Sequence, residues 1–286
     1  MQIFLFALLV MLGCSTSALA QVTETEVTYD IEVTDLSGKK VKQKAYAVLW
    51  RDTSKAKPQP LLIYGHGRVG PSSPPQLFMT KYARANATWF ASLGYAVLAP
   101  SRVSYGKTGG DDVEAGSCWG VPFKVGFDSA ASQMAQAIKY GATLPDVDGS
   151  RAVYVGLSVG GAVAIALSSL NVPNLVSVIN FSGGAGGNPK RNPKEPCNKD
   201  EQTKIYSDYG KSARTPTLWI YAENDYFWGV ELPKLWFDGY VANGGLGEFK
   251  LYPPQGFEGH NMYTNQPETW QPFVLAHFKK LGLPSQ

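Results

Sequence analysis

Apolar and polar residues alternate from Val27 to Val33 and again from Ala45 to Leu49, with Ser37-Gly38 between the two runs. A period of two marks strands with one wet face, so the opening of the chain reads as an antiparallel hairpin. The pattern then changes. Leu61 to Tyr64, Ala96 to Ala99, Ala152 to Val155, Leu175 to Phe181 and Thr217 to Tyr221 are short, largely apolar runs with no wet face. That is what strands buried on both sides look like. A last strand is expected at Glu248 to Leu251. Helical stretches separate these runs, around Lys81 to Leu93, Phe127 to Tyr140, Gly161 to Leu170, Glu201 to Ala213, Pro233 to Ala242 and Thr269 to Leu281. Strands alternating with helices predict an α/β fold, a mostly parallel sheet of about eight strands covered by helices on both faces. No internal repeat or polar linker divides the pattern, so residues 21–286 are expected to form one domain.

The chain ends and composition narrow the setting. Ile3 to Leu12 is an apolar run followed by Ala18-Leu19-Ala20, the small-residue pattern of a secretory cleavage site. Residues 1–20 are therefore expected to be a signal peptide, too short for a transmembrane helix, and the protein periplasmic or secreted. Leu12-Gly13-Cys14 allows a second reading, a lipoprotein anchor on Cys14. Across 286 residues the hydrophobic fraction is 44%, the charged fraction 17% and the net charge +3, which describes a globular chain with a large core. No block of like charges points to nucleic acid, and nothing indicates an oligomeric state. Cleavage after Ala20 leaves Cys118 and Cys197, an even pair in an exported chain, and predicts one disulfide. With three histidines and no C-x-x-C spacing, neither a metal nor another cofactor is expected.

The chemistry centres on Gly156-Leu157-Ser158-Val159-Gly160, placed between a strand run and a small-residue helical run. Strand, G-x-S-x-G and helix in that order make a nucleophile elbow, a turn so sharp that side chains two positions either side of the serine would collide. A serine hydroxyl needs a base, and the base needs an orienting acid. Downstream of Ser158, His277 falls inside the final amphipathic helix, whereas His260 sits in a glycine-bearing loop between the last strand and last helix. His260 is the better base. The loop after Thr217 to Tyr221 offers Glu223 and Asp225 as the acid, and Asp225, at the turn itself, is preferred. Two backbone donors should hold the oxyanion: Val159 N–H at the helix start, and Arg68 N–H (Gly67 second) in the Gly65-His66-Gly67-Arg68 loop. His66 then packs that loop and is not a second base. Gly106-Lys107-Thr108 lacks the first glycine of a phosphate loop, and the Gly183 to Gly187 run is expected to shape a loop over the site. Tyr105, Trp119, Tyr226, Phe227 and Trp228 are candidates for an apolar pocket. Arg68 and Arg102 are candidates to hold a substrate carboxylate.

These segments together give the chain a resemblance. Tyr64 to Gly67, Arg102 to Gly106, Gly156 to Gly161, Asn180 to Gly184, Trp219 to Asp225 and Glu258 to His260 are similar to the dienelactone hydrolase-like branch of the α/β-hydrolase superfamily. The resemblance implies the α/β-hydrolase fold over the mature chain and Ser158, Asp225 and His260 as the triad. True dienelactone hydrolases use cysteine as nucleophile, whereas this chain has Ser158, so the resemblance implies fold and mechanism and not dienelactone as the substrate. The expected activity is cleavage of small carboxylic esters through an acyl-enzyme on Ser158. A serine peptidase of the prolyl-oligopeptidase type shares this catalytic domain, and a silent binding protein on the same scaffold is the reading from another class.

Overall fold

The computed structural model describes residues 22–68, 75–114, 116 and 118–286. The expected signal peptide and Cys14 lie outside the described residues. The chain forms one eight-stranded sheet: β1 (Val22–Thr34), β2 (Lys40–Asp52), β3 (Gln59–Gly65), β4 (Ala96–Ser101), β5 (Val147–Leu157), β6 (Leu175–Phe181), β7 (Thr217–Ala222) and β8 (Gly247–Tyr252), in the spatial order β1-β2-β4-β3-β5-β6-β7-β8. β2 runs antiparallel to both β1 and β4, and every other pair is parallel. This is the α/β-hydrolase architecture expected from the sequence.

Period two decides which face each strand residue serves. Leu61 and Ile63 face one core, to which α2 (Phe123–Gly141), α3 (Val159–Ser169), α4 (Lys199–Ser212) and α5 (Glu231–Ala242) also contribute. Leu62 and Tyr64 face the opposite core with α1 (Pro75–Ser92) and α7 (Pro267–Lys280), the latter preceded by the short α6 (Met262–Asn265). Both faces are dry because right-handed crossovers lay helices on each side of a parallel sheet. The β1–β2 hairpin is longer than its alternating core suggests: Val22 pairs with Asp52 and Thr34 with Lys40. Hydrogen-bond pairing carries polar positions such as Glu24 and Lys42 into the ladder, where side-chain hydropathy gives no signal.

Cys118, in the loop after β4, is bonded to Cys197, in the loop after β6, with their Cα atoms 5.5 Å apart. The bridge spans 79 residues and encloses the Ser158 turn. Chain entropy gives a closure of that length a stabilisation of about 4–5 kcal/mol. Reduction is therefore expected to lower the melting temperature of the mature protein by about 10 °C or more. Calorimetry with and without reductant, after thiol titration of the denatured chain, measures it. Two free thiols in the unreduced protein would remove the basis of that expectation.

Candidate active site

Only Ser158 separates the end of β5 at Leu157 from the start of α3 at Val159. Its backbone stands at φ 58°, ψ −124°, a region that costs a non-glycine residue on the order of 1–3 kcal/mol. The turn is locked from both sides. Ser158 N–H donates to Phe181 O at 2.9 Å, and Ser158 O accepts from Gly161 N–H at 2.8 Å and Ala162 N–H at 3.1 Å. The flanking glycines are steric necessities: a Cβ on Gly156 would lie 2.0 Å from Gly160 O, and one on Gly160 2.5 Å from Gly65 O. The Ser158 side chain makes no capping bond. Val159 N–H, first in the helix, has no intrahelical acceptor.

Asp225 and His260 meet across the ends of β7 and β8. His260 Nδ1 lies 3.0 Å from Asp225 Oδ2. The other carboxylate oxygen, Oδ1, accepts from Phe227 N–H at 2.8 Å and Trp228 N–H at 3.3 Å, so the fully buried Asp225 is held by its own turn. Glu223 sits one residue past β7, its side chain exposed and its N–H given to Tyr252 O. Glu258, unremarked in the sequence beyond its place beside Gly259-His260, staples the two loops. Its Oε1 accepts from Tyr226 N–H at 2.9 Å and from His260 N–H at 3.1 Å. Phe227 stacks on the His260 ring at 4.0 Å, and Trp228 meets it edge-on at 5.7 Å.

Ser158 opens onto a cavity of about 490 Å³. Val159, Phe227 and Trp228 line it, with Arg68 and Glu114 on one wall and Gly184 to Gly187 on another. Phe123, Phe127, Cys118 and Trp119 complete the apolar side. Of the aromatics singled out in the sequence, Trp119, Phe227 and Trp228 reach this cavity. Tyr105 instead packs edge-on against His66 at 4.6 Å, and Tyr226 lies under Lys194. The glycine run after β6 does border the cavity.

The Gly65 to Arg68 loop approaches the serine so closely that a Cβ on Gly67 would stand 3.1 Å from Ser158 Cβ. A buried network fixes it. His66 Nδ1 bonds Gly67 O at 2.7 Å while its Nε2 accepts from Arg102 N–H at 3.2 Å. One ring nitrogen donating and the other accepting requires the neutral imidazole. Arg102 donates from Nη1 to His66 O at 2.6 Å and from Nε to Glu114 Oε1 at 2.6 Å, both side chains buried. Arg68 is paired with Asp112 and donates to Glu114 O at 3.2 Å. Glu114 had no signal in the sequence, because the partner that explains it arrives through a loop closed only in three dimensions.

Burial, reinforced by the Arg102 charge, holds the His66 imidazole well below the ordinary histidine range. Burial also lowers that of His277, whose Nε2 lies 2.8 Å from Ser177 Oγ inside the second core. His277 is thus structural. Both pKa values fall on folding, so the unfolded chain binds more protons below its own histidine pKa of about 6.5. Stability should fall as pH drops from there, by up to about 1.4 kcal/mol per pH unit for each histidine. Melting curves between pH 7.5 and 5 test this, and His277→Gln should reduce the slope. A stability independent of pH across that window would contradict it.

Comparison with known proteins bears on the family and the fold. The model of the dienelactone hydrolase family matches residues 79–261, a span that includes Ser158, Asp225 and His260. Among curated proteins none matches significantly. Among solved structures, the esterase Pf2001 of Pyrococcus furiosus is similar over 89% of this chain and 92% of its own, with 19% identity and a TM-score of 0.60. The acetyl xylan esterase from Paenibacillus sp. R4 is similar over 91% and 89%, with 17% identity and a TM-score of 0.56. A dienelactone hydrolase-like promiscuous phosphotriesterase, P91, from metagenomic libraries is similar over 80% and 82%, with 16% identity and a TM-score of 0.51. At such identities these likenesses concern the fold. The family match covers more than half the sequence, and on it the chain belongs to the dienelactone hydrolase family.

Proposed function

We propose that the protein is an exported serine esterase that cleaves small carboxylic esters through an acyl-enzyme on Ser158. The observation that carries this reading is the strained Ser158 turn, opening onto a cavity whose Phe227 and Trp228 walls also hold the paired His260 and Asp225. In this reading His260 takes the Ser158 proton as Oγ attacks the ester carbonyl carbon. Asp225 keeps the imidazole proton on Nδ1, leaving Nε2 to accept. The tetrahedral oxyanion is held by Val159 N–H and Arg68 N–H. With the Gly67 carbonyl tied to His66, the Arg68 N–H lies antiparallel to it across the trans peptide, on the side away from that ring. His260 then gives its proton to the departing alkoxide. Water, deprotonated by the same histidine, releases the acid and restores Ser158.

Export is supported by the Cys118–Cys197 bridge, since such bonds persist in oxidising compartments. The test is to expose the mature protein to a fluorophosphonate and map the adduct, alongside turnover of p-nitrophenyl butyrate and a peptide anilide. Labelling at Ser158 with ester cleavage and little amide cleavage is expected. Labelling elsewhere, or none, refutes the nucleophile; faster amide cleavage refutes the esterase reading.

A further inference from the structure

We propose that the ester taken by this site is electrically neutral and carries a planar aromatic ring, which packs on the indole of Trp119. The inference rests on Ser158 being the nucleophile and deepens that reading by naming the substrate class.

Charge comes first. Arg68 and Arg102 are the cations beside the cavity, and each already has a carboxylate partner. Arg68 is committed to Asp112 and to the backbone oxygen of Glu114, and Arg102 to Glu114 with both side chains sealed from solvent. Two guanidinium groups and two carboxylates cancel locally. The unbonded Arg102 Nη2 and Glu114 Oε2 are themselves closed to solvent. A substrate carboxylate entering here would lose its hydration and gain no free cation, which costs more than the pocket returns. A neutral ester has no such penalty.

Shape comes second. Phe123, Phe227 and Trp228 give the cavity flat walls, and Gly184 and Gly187 let Trp228 press against the opposite loop, a Cβ on either lying 2.9 or 2.8 Å from its ring. Flat walls favour offset-stacked or edge-on rings. At the rim, Trp119 is 97% exposed although it borders the cavity. It is also tethered, since its neighbour Cys118 is bonded to Cys197. Among the described residues the exposed aromatic side chains are Trp119, Tyr226 and Phe257, and all three lie on loops that carry the candidate site. Tyr226 follows Asp225, and Phe257 precedes the Glu258-Gly259-His260 segment. Of the three, Trp119 is the one that borders the cavity, and a large aromatic face left in water at a cavity rim marks a binding surface. A ring stacked on Trp119 covers part of it while the ester reaches Ser158.

Matched ester pairs test the proposal because their members are alike in size, and the ratio of each pair's alkaline hydrolysis rates corrects for the small difference in reactivity. Benzyl acetate is compared with cyclohexylmethyl acetate, and ethyl phenylacetate with ethyl cyclohexylacetate. The aromatic member of at least one pair should have a kcat/KM higher by about 3- to 10-fold, mainly through KM. Diethyl succinate should exceed the anionic monoethyl succinate by more than about tenfold. Trp119→Ala should bring the aromatic preference close to one, and Trp119→Phe should restore most of it. General damage to the fold would slow both members of a pair and leave their ratio intact. Equal turnover within both pairs, preference for the anionic half-ester, or faster cleavage of an acetylated sugar than of benzyl acetate each overturns the substrate class. So does a Trp119→Ala variant that keeps the wild-type ratio. If Ser158 is labelled by fluorophosphonate but none of these esters turns over, the substrate class fails while the nucleophile stands. Absence of labelling is the separate failure of the esterase reading.

Discussion

Ser158→Ala is expected to lower kcat by about a millionfold and leave the fold intact. The size follows from the way nucleophile and base act as a unit: once Oγ is gone, His260 has nothing to activate, and its loss adds little more. His260→Ala should therefore be about as damaging alone, and the double variant no worse than either. Residual turnover should stem from the cavity and the backbone donors, which still bind ester and polarise its carbonyl. Stability should hardly change, because the Ser158 side chain makes no capping bond and the turn is held through its backbone N–H and carbonyl. Alanine also meets the same positive φ with the same Cβ. The melting temperature should stay within a few degrees of wild type while ester turnover and fluorophosphonate labelling vanish. A variant that folds normally and retains even a hundredth of the activity would mean the nucleophile is another residue.

The sequence exposes parts of this site unequally, and the reason is physical. Ser158 is legible because its turn imposes a local demand: only glycine fits at Gly156 and Gly160 beneath backbone oxygens, so the constraint is printed within five residues. The interior strands are legible for a similar reason, since burial on both faces forces apolar runs such as Leu175 to Phe181, whose observed bounds equal the expected ones. Edges blur where side chains do not decide. α2 begins at Phe123, not near Phe127, because Pro122 sets the first turn by backbone geometry and the packing of Phe123 keeps it. α7 likewise begins at Pro267, two residues before Thr269, with proline in the first turn. The short turns at Gly106–Thr108 and Gly259–Asn261 and the four-residue α6 carry no periodicity to read. Least legible are residues that act across loops. Glu258 stands out only when Tyr226 and His260 are seen to share its oxygen, and Glu114 only when Arg102 turns inward. Arg102 shows the converse. Its charge just after β4 suggests a ligand anchor, yet its guanidinium is spent holding His66 and Glu114.

Asp225→Asn is expected to cost about ten-thousandfold in kcat with little change in KM or melting temperature. The asparagine keeps an oxygen where Oδ1 accepts from Phe227 and Trp228, so the turn after β7 survives. Its amide then takes the place of Oδ2 beside His260 Nδ1, where the distance is 3.0 Å in the wild type. An NH₂ group there donates, so Nδ1 must accept and the imidazole proton moves to Nε2. The nitrogen meant to take the serine proton now carries one of its own. The base is present, correctly placed and in the wrong tautomer. Fluorophosphonate labelling should slow with kcat, because it draws on the same proton transfer. Glu223→Gln is the matched control, also an acid-to-amide change in the same loop, but on an exposed side chain. It should stay within about twofold of wild type, as surface changes away from the chemistry do. The opposite order, with Glu223→Gln crippled and Asp225→Asn mild, would assign the acid to Glu223 and require the loop to rearrange when substrate binds.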